Sequence, residues 1–468
     1  MRLPYEVPQF LFDDTLISHQ QRLTRRWMAA NVFPEPILKP DQPWEGRMLT
    51  LYGSVVRDPG GEWRMYYTNR DPGPGSTYVM VATSSDGLSW RKPGLSVAPW
   101  EGRRPSNIVL ESPLPMDAPS VIYDPDDFDF PYKMIVFHWV PREERWGARN
   151  GLYLYRSLDG LTWNQTPGVR LQAGDMTTVM GVKQNRRFVA YTRHPEMFRQ
   201  KGAHCIYRTE SPNGMNWSDL EMVLAPDLLD DAEVELYGMS VFPRHDWYIG
   251  LLQCWRSDID RIEVHLALSR DGRKWFRPIP REPFIPSNQY WNSAWTTCAS
   301  NGPIILDEQM AFYFGGRAFA HNSDTVRRHG VIGCASLPLD RFCAIEGQTG
   351  GILETAPLEW PGGELILNAD TRQSFESHPF HLNGQIDVEI LNEDGDPLPA
   401  WCGENKAIFR GNTHARDRIE DGTVHWPGRR RMEDLRHNRI RLRLRLEHAR
   451  LYTIMAGEPP KIDEIHWR

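Results

Sequence analysis

The chain has 468 residues, 25% of them charged and 11% aromatic, with a formal net charge of −7. That length predicts roughly two to four domains. The composition excludes a disordered chain, and the negative balance gives no general attraction for nucleic acid or an anionic membrane surface. Residues 1–14 (MRLPYEVPQFLFDD) lack a basic segment followed by an apolar one, and no run approaches the length of a membrane span, so a cytoplasmic protein is expected. Cys205, Cys254, Cys298, Cys334, Cys343 and Cys402 form no CxxC pair and no zinc-site spacing, which predicts buried free thiols.

Residues 1–44 read as an N-terminal extension packing on the domain that follows. From residue 45 a repeat organises the chain. Ser-x-Asp-Gly-x-x-Trp stands at 84–90 (SSDGLSW), 157–163 (SLDGLTW) and 269–275 (SRDGRKW), with a variant at 211–217 (SPNGMNW) and a degraded copy at 336–342 (SLPLDRF). Each copy closes a group of three strand-like runs: 51–57, 63–69 and 78–83; then 119–123, 132–139 and 152–156; then 176–182, 188–193 and 204–208. The fourth group is 235–242, 247–255 and 263–268, and the fifth is 295–299, 310–315 and 331–335. Asp-Gly and Asn-Gly tolerate the positive φ of a tight hairpin, and a Trp four residues after the Asp can pack on a neighbouring blade, so the motif is a fold staple and not a catalytic box. Five groups over 45–358 predict an all-β chain whose main domain is a five-bladed β-propeller.

At Glu359-Trp360-Pro361-Gly362-Gly363 the composition changes, and 359–468 reads as a β-sandwich. In RIRLRLRL (439–446), Ile440, Leu442, Leu444 and Leu446 share one face by strict alternation, and the Arg row opposite reads as a solvated or inter-domain face.

A propeller brings the starts of its inner strands and the ends of its second strands to one mouth. The starts offer Asp117 in the second blade, Asp175 in the third, Glu233 and Glu235 in the fourth, and Trp291 with Asn292 in the fifth. The first blade offers Tyr52, with Glu45 upstream and Asp71 on the returning loop. The second-strand ends offer Arg70, His138 with Trp139, Arg193 with His194, Trp255 with Arg256, and Arg317 followed by His321. Glycosidic cleavage needs one carboxyl group to protonate the leaving oxygen and an ionised one to activate water or attack the sugar. Carboxylates crowded on one rim suit that division, because like charges drive neighbouring pKa values apart. Trp139, Trp255 and Trp291 would stack on sugar rings, while Arg and His would bind hydroxyls or an anionic group.

On this architecture and its recurring turn, residues 45–350 resemble the five-bladed propeller glycosidases, the superfamily of invertases, levansucrases and arabinanases. The resemblance implies a C-terminal sandwich over 365–467 and three catalytic carboxylates on successive inner strands. By position these are Asp117 as base or nucleophile, Asp175 as the orienting or stabilising residue and Glu235 as the acid. The chain departs from that family in its first blade, where Leu51-Tyr52-Gly53 replaces the expected acidic context. Either the site is rotated by one blade, or Glu45, Asp71 or Asp13-Asp14 fills the first-blade role.

Glycoside hydrolysis is the expected function. A glycoside phosphorylase, using Arg and His to hold phosphate, and a non-catalytic carbohydrate-binding propeller are the alternatives. A sialidase-like enzyme would need a sixth blade. The expected partner is a carbohydrate substrate, with neither nucleic acid nor membrane, and nothing in the sequence sets the oligomeric state. No cofactor is required, although a calcium ion in the channel is compatible with its carboxylates. The acidic loop 124–129 (DPDDFD) has the alternating oxygens calcium favours, but it lacks the glycine of a calcium loop and reads as a solvated turn. His138, His194 and His321 would bind zinc only if three strand ends converged, so no metal site is expected.

Overall fold

A computed structural model describes the chain except residues 70–76, 103–104, 113, 140–149, 169, 199–200, 307, 322, 324–328, 372–383, 414–421 and 459–468. Regular structure among the described residues consists of β-strands and short 3-10 turns. None of their helices is long and apolar enough to cross a membrane. The chain divides into two compact units, Ala30–Leu306 with Ala311–Ser336, and Met1–Ala29 with Asp307–Met310 and Leu337–Arg468.

The first unit is built from five groups of antiparallel strands, the fourth and fifth joined into one eight-stranded sheet by a parallel bridge between Ile262 and Trp295. The first contains Leu49–Thr50, Val55–Arg57, Trp63–Asn69, Thr77–Ser84 and Ile108–Ser112; the second contains Met116–Tyr123, Tyr132–His138, Gly151–Ser157 and Asn164–Gln165. The third contains Thr177–Val179, Phe188–Phe198, Lys201–Ser211 and Glu221–Leu224, and the fourth Val234–Arg244, Trp247–Arg256 and Arg261–Ser269. In the fifth, Trp295–Cys298, Gln309–Arg317 and Gly330–Pro338 are followed by Asn31–Val32 as the outermost strand.

Apolar clusters lie between the faces of successive sheets. Tyr66, Val81 and Met134 fill the space between the first and second, Ile135 and Phe188 that between the second and third, and Tyr191 and Leu252 that between the third and fourth. Phe242 packs on Phe312 between the fourth and fifth, and Met65 clusters with Tyr313 to close the fifth onto the first. Five sheets thus return on themselves, the arrangement of a β-propeller.

Small hydroxyls stitch the inner strands together around the axis. Ser54 Oγ accepts from Val121 N–H at 2.8 Å, Ser120 Oγ accepts from Val179 N–H at 3.2 Å, and Thr178 Oγ1 donates to Met239 O at 2.6 Å. The Ser54 and Ser300 hydroxyls meet at 2.6 Å. A Cβ on Gly53 would lie 2.0 Å from Tyr66 O and 3.2 Å from Pro119 O, so only glycine lets the first inner strand approach its neighbours this closely.

The recurring motif is a clasp between sheets. In its first copy Ser84 Oγ accepts from Gly87 N–H, and Asp86 Oδ1 accepts from Leu88 and Ser89 N–H. Those backbone donors, Ser89 above all, hold the Asp86 carboxyl down at about 2. Gly87 has φ 71°, the left-handed conformation that the turn requires. The Gly87 carbonyl then accepts both Trp90 Nε1–H and the Tyr313 hydroxyl of the fifth sheet, while the Trp90 ring meets Tyr313 edge-on. The same clasp joins Gly272 and Trp275 to Tyr191; at Gly160 the Tyr66 hydroxyl and the edge-on Trp163 ring are kept without the indole bond. The tyrosine is fourth in Trp63–Asn69 and Phe188–Phe198 and fifth in Gln309–Arg317; the fourth residues of the corresponding strands in the second and fourth sheets are Ile135 and Gly250, and those sheets precede the Asn variant and the degraded copy.

The chain divides at other places than 44/45 and 358/359. Gln9–Phe10, Ile17–Gln21 and Thr24–Trp27 pair with strands of the second unit, whereas Asn31–Val32 completes the fifth sheet. The fifth repeat supplies three strands of its own, and its exposed backbone edge takes the missing partner from the other end of the chain.

The nine strands of the second unit form one branched hydrogen-bonded network around one core. Its longest strand, Arg439–Gly457, pairs with Gln385–Asn392 along its first half and with Glu364–Asp370 along its second. Its buried residues alternate as 440, 442, 444 and 446, then as 449 and 451, from which burial is continuous to 457. The phase changes at His448, whose φ of 44° breaks the regular pleat and lets one strand serve both halves of the sheet.

Candidate functional site

Three inner strands are irregular at the same level. Leu51–Ser54 interrupts the first, Ala118 and Pro119 face a single residue of the neighbouring strand in the second, and Tyr237 is an extra residue in the fourth. Bulges break the alternation of side chains and so re-aim them. Ala118 has φ 49°, a left-handed conformation costly for a residue with a Cβ, directly after Asp117.

At this level one side chain from each inner strand joins a single apolar cluster. Tyr52, Ala118, Met176, Tyr237 and Trp295 pack together with Ile262, and half-buried Trp255 lies against them. Trp295 Nε1–H donates to the Tyr52 hydroxyl at 3.3 Å, and the Trp295 and Tyr237 rings meet edge-on at 5.3 Å. This cluster forms the floor of the mouth.

The three expected catalytic carboxylates stand beside that floor, each facing a different nitrogen donor. Asp117 Oδ2 accepts the Trp139 indole N–H at 2.8 Å. Asp175 Oδ1 accepts Arg193 Nε–H at 2.8 Å and a second guanidinium N–H at 2.5 Å, and the guanidinium lies 3.9 Å from the centre of the Tyr237 ring. Glu235 Oε2 accepts the backbone N–H of His204 at 3.1 Å and lies 2.7 Å from its Nδ1. Arg317 lies over Trp295 at 5.5 Å, and His321 lies 4.5 Å from the same ring.

Other expected residues occupy structural positions. Glu45 is fully buried, and its carboxylate accepts from Asp41 and Gln42 N–H, Lys92 Nζ and the Tyr67 hydroxyl. Asn292 is also buried and closes its own turn through Gln289 N–H and Pro286 O. Trp291 stacks on Phe314 and donates to Pro34 O, in a slot where a Cβ on Gly316 or Gly333 would collide with its ring. These three therefore brace the fold instead of offering a sugar-binding face.

Exposed Arg256 pairs with Asp231 and Asp258, and half-buried Glu233 accepts Ser257 N–H through its backbone. His194 is exposed beside Glu196, and Trp255 donates to Asp260. His138 is 2% exposed, its Nε2 is 3.0 Å from the Tyr155 hydroxyl, and burial lowers its pKa to about 4, so it is neutral near pH 7. Arg70 and Asp71 lie outside the described residues. Asp13 and Asp14 belong to the second unit, where Asp13 accepts Thr15 N–H and Asp14 pairs with Arg25. The first sheet brings Tyr52, and no carboxylate among its described residues, to the floor.

Sequence reasoning missed Tyr237, Trp295 and His204. Tyr237 follows Glu235 by two positions and Trp295 follows Asn292 by three; the bulge in the fourth inner strand hid the first of these. His204 begins the third run of its blade, and only the pairing of strands aims it at the next sheet.

The residues present do not fit calcium. In the 124–129 loop Lys133 Nζ lies 2.9 Å from Asp127 and 3.3 Å from Asp124, while Lys183 Nζ lies 2.7 Å from Asp124. Two ammonium groups supply the positive charge that a metal ion would bring there. At the mouth each carboxylate faces an N–H donor, where calcium would need several oxygen ligands. Among the described residues no three His, Cys, Asp or Glu side chains are placed to hold a metal ion.

No protein-family model and no curated protein matches this chain. Among solved structures it is similar to a β-1,2-mannobiose phosphorylase from Listeria innocua, at 13% identity and a TM-score of 0.46 over 67% of this chain and 97% of that one. It is also similar to an α-L-arabinofuranosidase from Podospora anserina, at 12% identity and a TM-score of 0.46 over 66% and 98% of the two chains. A glycosyl hydrolase from Bacteroides ovatus aligns at 15% identity with a TM-score of 0.46, covering 67% and 94%.

Proposed function

We propose that the propeller unit is a carbohydrate-active enzyme that hydrolyses a glycosidic bond at this mouth. The observation that carries the reading is the placement of Asp117, Asp175 and Glu235 beside one aromatic floor, each held by its own nitrogen donor. Glu235 gives its proton to the glycosidic oxygen as the bond from that oxygen to the anomeric carbon breaks. A water oxygen bonds to the anomeric carbon and its proton passes to Asp117, so one bond is exchanged for another and the water is consumed. Asp175, fixed by Arg193, faces the positive charge that develops on the sugar ring. Trp139, 39% exposed and anchored by Asp117, offers the ring on which a sugar stacks.

Hydrolysis is favoured over phosphorolysis because three of the basic residues expected at the rim are already engaged or uncharged. Arg193 is committed to Asp175 and Arg256 to two aspartates, while His138 is buried and uncharged near pH 7. The test is turnover of aryl glycosides and oligosaccharides, with and without inorganic phosphate, by wild type, Asp175→Asn and Glu235→Gln. Phosphate-independent turnover lost in both variants supports hydrolysis. Turnover only with phosphate would replace it by phosphorolysis, and sugar binding without turnover would leave a binding propeller.

A further inference from the structure

His204 lies on the third sheet and Glu235 on the inner strand of the fourth, yet the two meet through a single carboxylate oxygen. A backbone N–H can only donate, so Glu235 Oε2 is an acceptor toward His204. The imidazole Nδ1 approaches the same oxygen at 2.7 Å, and an oxygen with two lone pairs accepts both contacts when Nδ1 carries its proton. With Oε2 engaged in this way, His204 fixes one edge of the Glu235 carboxyl. The His204 ring is itself held, lying 6.2 Å from the Trp255 ring. Trp255 is fixed in turn by Asp260 at 3.0 Å and by its contact with Tyr237.

We propose that His204 is a positioning residue that orients the Glu235 carboxyl for proton delivery to the leaving group by holding Oε2. The proposal rests on the hydrolytic reading above. His204 does not touch the substrate; it orients the acid from the neighbouring sheet. An imidazole placed only for packing would affect every substrate alike. One that orients the acid matters most when the leaving group most needs a proton.

The experiment measures kcat and KM for wild type, His204→Ala and His204→Asn on aryl glycosides of one sugar whose phenols span a wide range of acidity. Asn places an N–H donor close to the position of Nδ1, and it controls for misfolding together with thermal unfolding of each variant. In His204→Ala, kcat is expected to fall about tenfold or more on phenyl glycosides and to change less than about threefold on dinitrophenyl glycosides, with KM nearly constant. His204→Asn should recover most of the loss. An equal loss across all leaving groups in folded His204→Ala, or no loss at all, would overturn the assignment. Absence of wild-type turnover on every glycoside would instead remove the hydrolytic reading, and the role of His204 with it.

Discussion

Arg193 places two guanidinium nitrogens, at 2.8 and 2.5 Å, on the same oxygen of Asp175. The pair is mostly shielded, with side chains 11% and 18% exposed, and the guanidinium also covers Tyr237. Removing one partner would leave the other charge without compensation in a poorly solvated place. Arg193→Ala is therefore expected to lower stability by about 3 kcal/mol and to abolish turnover. Arg193→Lys should refold but restore little activity, since an ammonium cannot reproduce the fork. Chemical denaturation and kinetics on the same samples check this, and wild-type turnover in folded Arg193→Ala would contradict it.

The clasp predicts a stability effect remote from the mouth. Tyr66→Phe, Tyr191→Phe and Tyr313→Phe each remove one hydroxyl donated to a glycine carbonyl of the adjacent sheet. Each substitution should cost about 1 kcal/mol, and because the three clasps join different pairs of sheets the losses should add. Equilibrium unfolding of the single and triple variants measures this, with unchanged midpoints as the contrary outcome.

His138 predicts a pH dependence. Its folded pKa of about 4 lies below the ordinary histidine value of 6.5 because burial disfavours the charged ring. Between pH 6.5 and 4 the unfolded chain binds a proton that the folded chain does not, so stability rises with pH there. The contribution is complete above the upper limit, and about 3 kcal/mol of it is lost by pH 4. His138→Gln should flatten the wild-type dependence in this window; an unaltered slope would show that other groups produce it.

Lys133 and Lys183 lead to a prediction about metal. Calcium should leave the thermal midpoint of the wild type unchanged, because ammonium groups already meet the aspartates of the 124–129 loop. Lys133→Met leaves buried Asp124 with one cation fewer and should destabilise the propeller by roughly 2 kcal/mol. A midpoint that rises with calcium in the wild type would refute this account of the loop.

Gly53→Ala should fail to give a folded propeller, since the added carbon would overlap the Tyr66 carbonyl from a position with backbone on both sides. Soluble expression followed by circular dichroism decides this. A native spectrum and melting curve would mean that the inner strands part more easily than their hydrogen bonds imply.

The number of blades, their order and the clasping turn were legible in the sequence because each depends on local pattern. Alternation marks a strand, Asp-Gly marks a tight turn, and the repeat period counts the sheets. Asp117, Asp175 and Glu235 were singled out for the same reason, by their places at the strand starts of successive repeats. Glu45 and Trp291 misled because a carboxylate or an indole near a strand start looks the same in sequence whether it faces the channel or is turned into a brace. Their direction is set by partners 47 and 257 residues away, Lys92 and Pro34.

The sequence by itself determined the all-β class and the five repeats, since these follow from spacing along the chain. Tertiary structure alone decided that Asn31–Val32 completes the fifth sheet, that bulges turn Tyr52 and Tyr237 to the floor, and that His204 reaches Glu235. Strand pairing and bulges join residues remote in the chain, and a hydrogen bond between sheets leaves no period in the sequence from which it can be read.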